Sequence, residues 1–221
     1  MPALLRVDAS IRPQGSVTRT IADRLEARFA EKGEGSTISR RDVGLEPIPA
    51  TAWAGAVFGP YTPAEERTPE QAEGLALSSQ LANEMLAADA YLFAVPLYNY
   101  GVSQHFKTWL DLLLTDARFA PGTESPVAGR PAQLIVAKGG GYGPDAPRHG
   151  WDHATGWYRR MLEDVLQLDL EVIECELTLA DSTPAMEPLR DLAAQNLADA
   201  IASAEERGSQ LAARLLVPAA A

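Results

Sequence analysis

The feature that most constrains this chain is an alternation between two hydrophobic periods. Short apolar runs at 3–9 (ALLRVDA), 36–43 (STISRRDV), 90–95 (AYLFAV), 131–138 (PAQLIVAK) and 170–177 (LEVIECEL) read as strands. The segments 18–32, 69–88, 103–115, 151–168 and 186–208 read as amphipathic helices, the fourth of them opening WDHATGW and the last ended by Gly208. In 103–115 the residues Phe106, Trp109, Leu110 and Leu113 form one apolar stripe. Strands that alternate with helices call for a parallel sheet covered on both faces, because a parallel neighbour needs a crossover. Five such strands fit a doubly wound α/β sheet of order 2-1-3-4-5, in one domain spanning 1–221 with a long loop at 44–68 and a tail at 209–221.

That topology makes a positional demand. Ligands of open α/β sheets bind beyond the carboxyl ends of the strands, where the winding reverses, so the segments after strands one, three and four should carry unusual chemistry. These segments are DASIRPQGSVT (8–18), PLYNYGVS (96–103) and GGGYGPD (139–145). In the first, Ser10, Gln14, Ser16 and Thr18 precede a helix whose leading N–H groups lack intrahelical partners, which suits a phosphate dianion, with Arg12 and Arg19 adding charge. The plainer reading makes Ser16 or Thr18 a helix cap. In the second, Pro96 stiffens the chain, Tyr98 and Tyr100 give flat faces, Asn99 offers a donor and an acceptor, and Gly101 allows a tight turn. In the third, Gly139, Gly140 and Gly141 let main chain approach a planar ligand, and Lys138 can offset negative charge on a reduced ring. No GxGxxG or GxxxxGK[ST] pattern is present, so neither a dinucleotide fingerprint nor a Walker loop is indicated. A phosphate cradle, an aromatic and amide platform and a glycine loop at one sheet edge suit a phosphorylated heteroaromatic molecule such as FMN.

At these residues the chain resembles the FMN-dependent NADH azoreductases and NAD(P)H quinone reductases, a flavodoxin-like family, over nearly its whole length. SIRPQGSVTR resembles the family's serine-rich phosphate segment, VPLYNYGVSQHFKTWLD its PMYNFxIPxxLKxWID pattern, and KGGGYG its RGGxY loop. Asn99, Lys107, Trp109 and Asp111 fall in register with the middle pattern. Departures are Leu97 for methionine, Tyr100 for phenylalanine, and Lys138 for arginine, the last replacing a planar fork by a point charge. The resemblance implies a homodimer with FMN at the subunit interface and a ping-pong reaction, in which NADH or NADPH reduces the flavin and a quinone or azo compound then takes two electrons. It implies that Ser10, Ser16, Val17 and Thr18 hold phosphate, that Pro96, Leu97, Tyr98, Asn99 and Tyr100 line the ring, and that Lys138, Gly139, Gly140, Gly141 and Tyr142 close its polar edge. No protein acid or nucleophile is expected, since the flavin carries the chemistry. Family analogy also makes the 44–68 stretch a lid, with Trp53, Phe58, Tyr61 and Tyr100 shaping the substrate pocket, against the alternative that it folds back on its own core.

Other features point away from competing functions. A net charge of −11 disfavours nucleic acid and anionic membranes as partners. No stretch reaches the roughly 18 apolar residues of a membrane span, and the N-terminus lacks a secretory pattern, so the expected location is the cytoplasm. The lone Cys175, in the apolar run VIECEL, reads as a buried strand thiol. His149 and His153, with Asp145 and Asp152 nearby, read as a solvated helix start rather than a metal site, and His105 as a packed or surface histidine. Two rival functions use the same fold: a flavodoxin-type electron carrier that docks on protein partners, and a flavin reductase that releases reduced FMN.

Overall fold

The structure, a computed structural model, describes residues 1–120 and 122–216. Five parallel strands, β1 (Ala3–Asp8), β2 (Thr37–Asp42), β3 (Ala90–Pro96), β4 (Pro131–Ala137) and β5 (Asp169–Cys175), lie in the order β2-β1-β3-β4-β5. The order is the one the alternation predicts. The register aligns Leu5 with Tyr91, Tyr91 with Ala132, and Ala132 with Leu170, so the carboxyl ends of the three inner strands finish near one level. Every residue of β3 and β4 is buried, as continuous apolar runs require when both faces are covered, whereas the outer strands are more open, β2 with no buried residue and β5 buried only at Ile173 and Cys175.

The two faces have separate cores. On one, α1 (Val17–Lys32) and α6 (Arg190–Leu216) press Ile21, Leu25, Phe29 and Leu211 onto Leu4, Leu92 and Ile135. On the other, α3 (Pro69–Ala87), α4 (Gln104–Leu113) and α5 (Thr155–Arg159, continued by a π turn over Arg160–Val165) cover Leu5, Val7, Tyr91, Phe93 and Leu134. Phe93 is the hub there, 5.8 Å from the rings of both Phe106 and Trp109. No helix among the described residues is long and apolar enough to cross a membrane.

Two departures from the sequence reading have physical causes. The 44–68 stretch is not irregular throughout: it holds α2 (Ala52–Phe58) and two short 3-10 turns, and α2 docks on α3 through Ala52, Gly55 and Ala56. A side chain on Gly55 would overlap the Glu70 carbonyl, so this contact depends on backbones in close approach. An alanine and glycine face leaves no stripe of large apolar residues for a periodicity search to find. Likewise α6 does not stop at Gly208 but runs on to Leu216, because Gly208 is where α6 crosses α1, with its Cα against the Leu25 carbonyl. Residues 209–216 are therefore helix, and the rest of the expected tail, 217–221, lies outside the described residues.

Candidate functional site

The helix that follows β1 begins at Ser16, whose side chain accepts the N–H of Arg19 and whose hydroxyl lies 3.1 Å from that of Thr18. No acidic side chain occupies the first turn of α1 itself. The peptide units leading up to it are fixed one by one. The Ala9 carbonyl accepts the Ser103 hydroxyl (3.3 Å), the Ser10 carbonyl accepts Arg19 Nη2 (2.7 Å), the Ile11 N–H donates to Tyr98 Oη (3.2 Å), and the Arg12 N–H donates to Ser10 Oγ (3.3 Å). Tyr98 and Ser103 thus tie the segment after β3 to the segment after β1. Ser103 is itself held by Tyr158, whose hydroxyl accepts its N–H at 3.1 Å.

One cleft runs along this sheet edge. Ser10, Arg12, Ser16, Val17 and Thr18 line it from the first segment; Pro96, Leu97 and Tyr98 from the second; Ala137 and Gly139 from the third. Thr178 and Leu179, which follow β5, complete it, and sequence reasoning missed them. Their backbone N–H groups donate to the Lys138 and Gly139 carbonyls (3.1 and 3.2 Å), so the segment after β5 rides on the glycine loop. Its sequence, TLADSTP, holds nothing unusual, and only the rule that ligands sit beyond the carboxyl ends of the strands, extended to the outer strand β5, would have drawn attention to it.

Asn99 and Tyr100 sit at a hairpin tip beside the cleft. Tyr98 and Gly101 pair across it, N–H to carbonyl both ways (2.9 and 3.3 Å), and both central residues have positive φ, 48° for Asn99 and 66° for Tyr100. This is the geometry of a two-residue I′ turn, normally given to Asn-Gly. Gly101, expected to provide the tight turn, keeps an ordinary φ, and the strain falls on Tyr100. The Tyr100 ring stands edge-on to Trp151 (5.3 Å between centroids) and Tyr142 (6.4 Å), and its carbonyl accepts the His153 N–H at 3.0 Å.

Two of the three basic residues expected to supply charge are already engaged. Arg19 forms a two-pronged pair with Asp42 (2.5 and 2.8 Å) and lies 3.8 Å from Asp8, while Asp8 is gripped by Arg6 from beneath. Arg6 and Asp8 are each only 3% exposed. Burial raises the Asp8 carboxyl, with Arg6 and Arg19 pulling the other way. Lys138 is 4% exposed and is held by Asp152 (2.8 Å) and Glu174 (3.0 Å), with Glu176 at 3.8 Å. Its ammonium is thereby neutralised within the protein, 5.9 Å from the Tyr142 ring. Burial alone would raise the Asp152 carboxyl, but bonds from Lys138, Thr155 and Ala154 hold it at about 2. Gly140, Gly141 and Tyr142 are not among the residues that line the cleft; the Gly140 carbonyl accepts the Leu177 N–H and the Tyr142 N–H donates to Glu176. Arg12, by contrast, is exposed at the cleft. Trp53, Phe58 and Tyr61 are not brought to it: they stand 50%, 61% and 85% exposed on and after α2.

Leu97, Tyr98 and Leu179 line the cleft together with Ser10, Ser16 and Thr18 at the start of α1. Comparison with known proteins gives the family. The family described as flavodoxin-like fold matches residues 2–204. The chain is 37% identical over 194 residues to an FMN-dependent NADH:quinone oxidoreductase of Parafrankia sp. (strain EAN1pec), covering 87% of this chain and 92% of the relative. It is 37% identical over 212 residues to one from Frankia casuarinae, covering 95% and 100%, and 34% identical over 215 residues to one from Streptomyces avermitilis, covering 97% and 99%. Among solved structures, an azoreductase from Bacillus anthracis str. Sterne superimposes with a TM-score of 0.75 at 21% identity, covering 95% of this chain and all of that one. An FMN-dependent NADH-azoreductase from Bacillus anthracis str. Ames Ancestor, in complex with FMN, gives 0.76 at 19%, covering 96% and 100%. At those identities the structural likeness speaks to the fold.

Proposed function

This chain belongs to the flavodoxin-like family, and we infer from that membership and from the cleft's chemistry that it is an FMN-dependent NADH:quinone oxidoreductase. Its acceptors are quinones, with azo compounds as a second class. The observation that carries the reading is the convergence of three sequence-distant segments, at 10–18, 96–98 and 137–139, on one cleft at the carboxyl edge of the sheet. FMN, when bound, supplies the two-electron chemistry between NADH and acceptor.

The remaining roles belong to this chain's residues. Ser10, Ser16 and Thr18 hydroxyls and the N-terminus of α1, with Val17, hold the FMN phosphate, and Arg12, which has no ion-pair partner among the described residues, supplies a cationic side chain to meet it. Pro96, Leu97 and Tyr98 support the ring, and the strained turn presents Asn99 and Tyr100 at its rim. Gly139, Gly140, Gly141 and Tyr142 border its polar edge, where backbone N–H groups favour negative charge. Lys138 acts there indirectly, by holding Asp152 and with it the segment that carries Trp151 and His153. The protein works as a cytoplasmic homodimer, in which the exposed Trp53, Phe58 and Tyr61 reach the partner's pocket; an uncovered aromatic row of this kind is what an interface would bury.

The test is a visible spectrum of the purified protein, followed by NADH and then a benzoquinone without oxygen. A flavin absorption that NADH bleaches and the quinone restores is expected. A colourless protein that also ignores added FMN would end this reading.

A further inference from the structure

Asp42 and Gly44 stand at the end of β2 and have no part in any recognisable motif, yet both meet the segment assigned to phosphate. Asp42 takes the Arg19 guanidinium with both oxygens, and the same guanidinium holds the Ser10 carbonyl at 2.7 Å. Arg19 also reaches the other end of the segment, through its backbone N–H to Ser16 Oγ at 3.4 Å. One residue therefore brackets 10–16 at both ends. Gly44 closes the remaining side: a Cβ there would overlap the Ser10 carbonyl oxygen, so only glycine lets that carbonyl lie where Arg19 meets it. Asp42 is in turn oriented by the Leu45 N–H on its Oδ1 (3.0 Å), and the Gly44 N–H donates to the Asp8 carbonyl (3.1 Å).

We propose that Arg19, Asp42 and Gly44 are positioning residues that clamp the Ser10 peptide and thereby shape the FMN phosphate cradle, without Arg19 itself ligating phosphate. The proposal rests on the flavin reading above and adds a specificity device to it. The charges set an unusual condition. A phosphate dianion at this helix end lies near the carboxylates of Asp8 and Asp42, and Arg19 is placed between the two, 3.8 Å from the first and bonded to the second. The competing reading is that Arg19, whose Nε is buried without a partner among the described residues, is a direct phosphate ligand that Asp42 merely holds in reserve.

Asp42→Asn separates these by sign. It removes a negative charge near the phosphate and releases the guanidinium, so a direct ligand or a purely electrostatic effect would tighten FMN. A clamp predicts the opposite. Fluorescence titrations of the flavin-free protein with FMN and with riboflavin, which shares the ring but lacks the phosphate, are the readout. For Asp42→Asn and, independently, Gly44→Ala, the FMN Kd rises roughly tenfold or more, the worth of one charge-assisted hydrogen bond, while riboflavin Kd stays within about twofold. The riboflavin arm also reports that the variant's ring site has folded. Equal losses for both ligands, unchanged FMN affinity, or tighter FMN in Asp42→Asn would overturn the clamp. Failure of wild type to bind FMN would instead refute the flavin reading on which the clamp depends.

Discussion

Tyr100 offers a sharp test of the strained turn, because there the usual order of alanine and glycine should invert. At an ordinary position glycine is the less stable by about 0.5–1 kcal/mol, since its unfolded chain has more freedom to lose. At φ 66° every side chain beyond glycine meets its own carbonyl, a cost of about 1–2 kcal/mol. Tyr100→Ala and Tyr100→Gly both forfeit the edge contacts to Trp151 and Tyr142, so that loss cancels between them. What remains favours Tyr100→Gly by about 0.5–1 kcal/mol, or about 1–4 °C in Tm for a chain of this size. The assay is urea unfolding of the flavin-free protein, so that ligand binding does not add its own stabilisation, with equal m values as the condition for comparison. Tyr100→Ala equal to or more stable than Tyr100→Gly would refute the I′ turn. On the proposed function, which puts the ring rather than the hydroxyl at the flavin's rim, both variants should lose quinone turnover and Tyr100→Phe should retain it.

Two further outcomes follow from buried ionisable groups. The Asp152 carboxyl is held at about 2 in the folded protein against an ordinary 3.8, so its stabilisation, about 2 kcal/mol, is present above pH 4 and fades as pH falls toward 2. The stability gap between wild type and Asp152→Asn in urea titrations should therefore be full at pH 6 and close in that acidic window; a gap constant down to pH 2.5 would contradict it. Burial, with Glu176 adding to it, pushes the Cys175 thiol up to about 11, and at the end of β5 it is packed in one core cluster with Ile173, Ala200 and Ala204. At pH 8 the native protein should not react with a thiol-disulfide exchange reagent that titrates one thiol after unfolding in urea; prompt reaction of the native protein would show β5 opening.

The sheet was legible because its evidence is local. Runs such as AYLFAV announce a strand covered on both faces without reference to anything distant, and the alternation with helices then leaves few topologies. What escaped was structure made by small residues. The face Ala52-Gly55-Ala56 and the crossing at Gly208 work by letting backbones touch, and neither shows in a pattern of large apolar side chains. The same glycine that ends one helix lets another pass close to its neighbour, and sequence alone does not separate the cases.

The site divides in a similar way, according to whether a role depends on position or on partners. Ser10, Ser16, Thr18, Pro96, Tyr98 and Gly139 could be named because the topology brings strand ends together and their own chemistry suits the place. Charge could not be assigned so simply. Arg19 and Lys138 were expected to face an anion, and the fold gives each a carboxylate instead, Asp42 at 23 residues' separation and Glu174 at 36. A buried cation is stable only where its partners are supplied, so such a residue is first committed to its carboxylates and only through them to a ligand. On the proposed reading, the phosphate end is therefore organised by the carboxyl end of β2, and the ring's polar edge by the pair Lys138–Asp152. Tyr98 and Ser103 join the two halves by bonding to the Ile11 N–H and the Ala9 carbonyl. A change confined to one half should thus be felt mainly by the part of the ligand it holds, whereas loss of either tie should weaken phosphate and ring together.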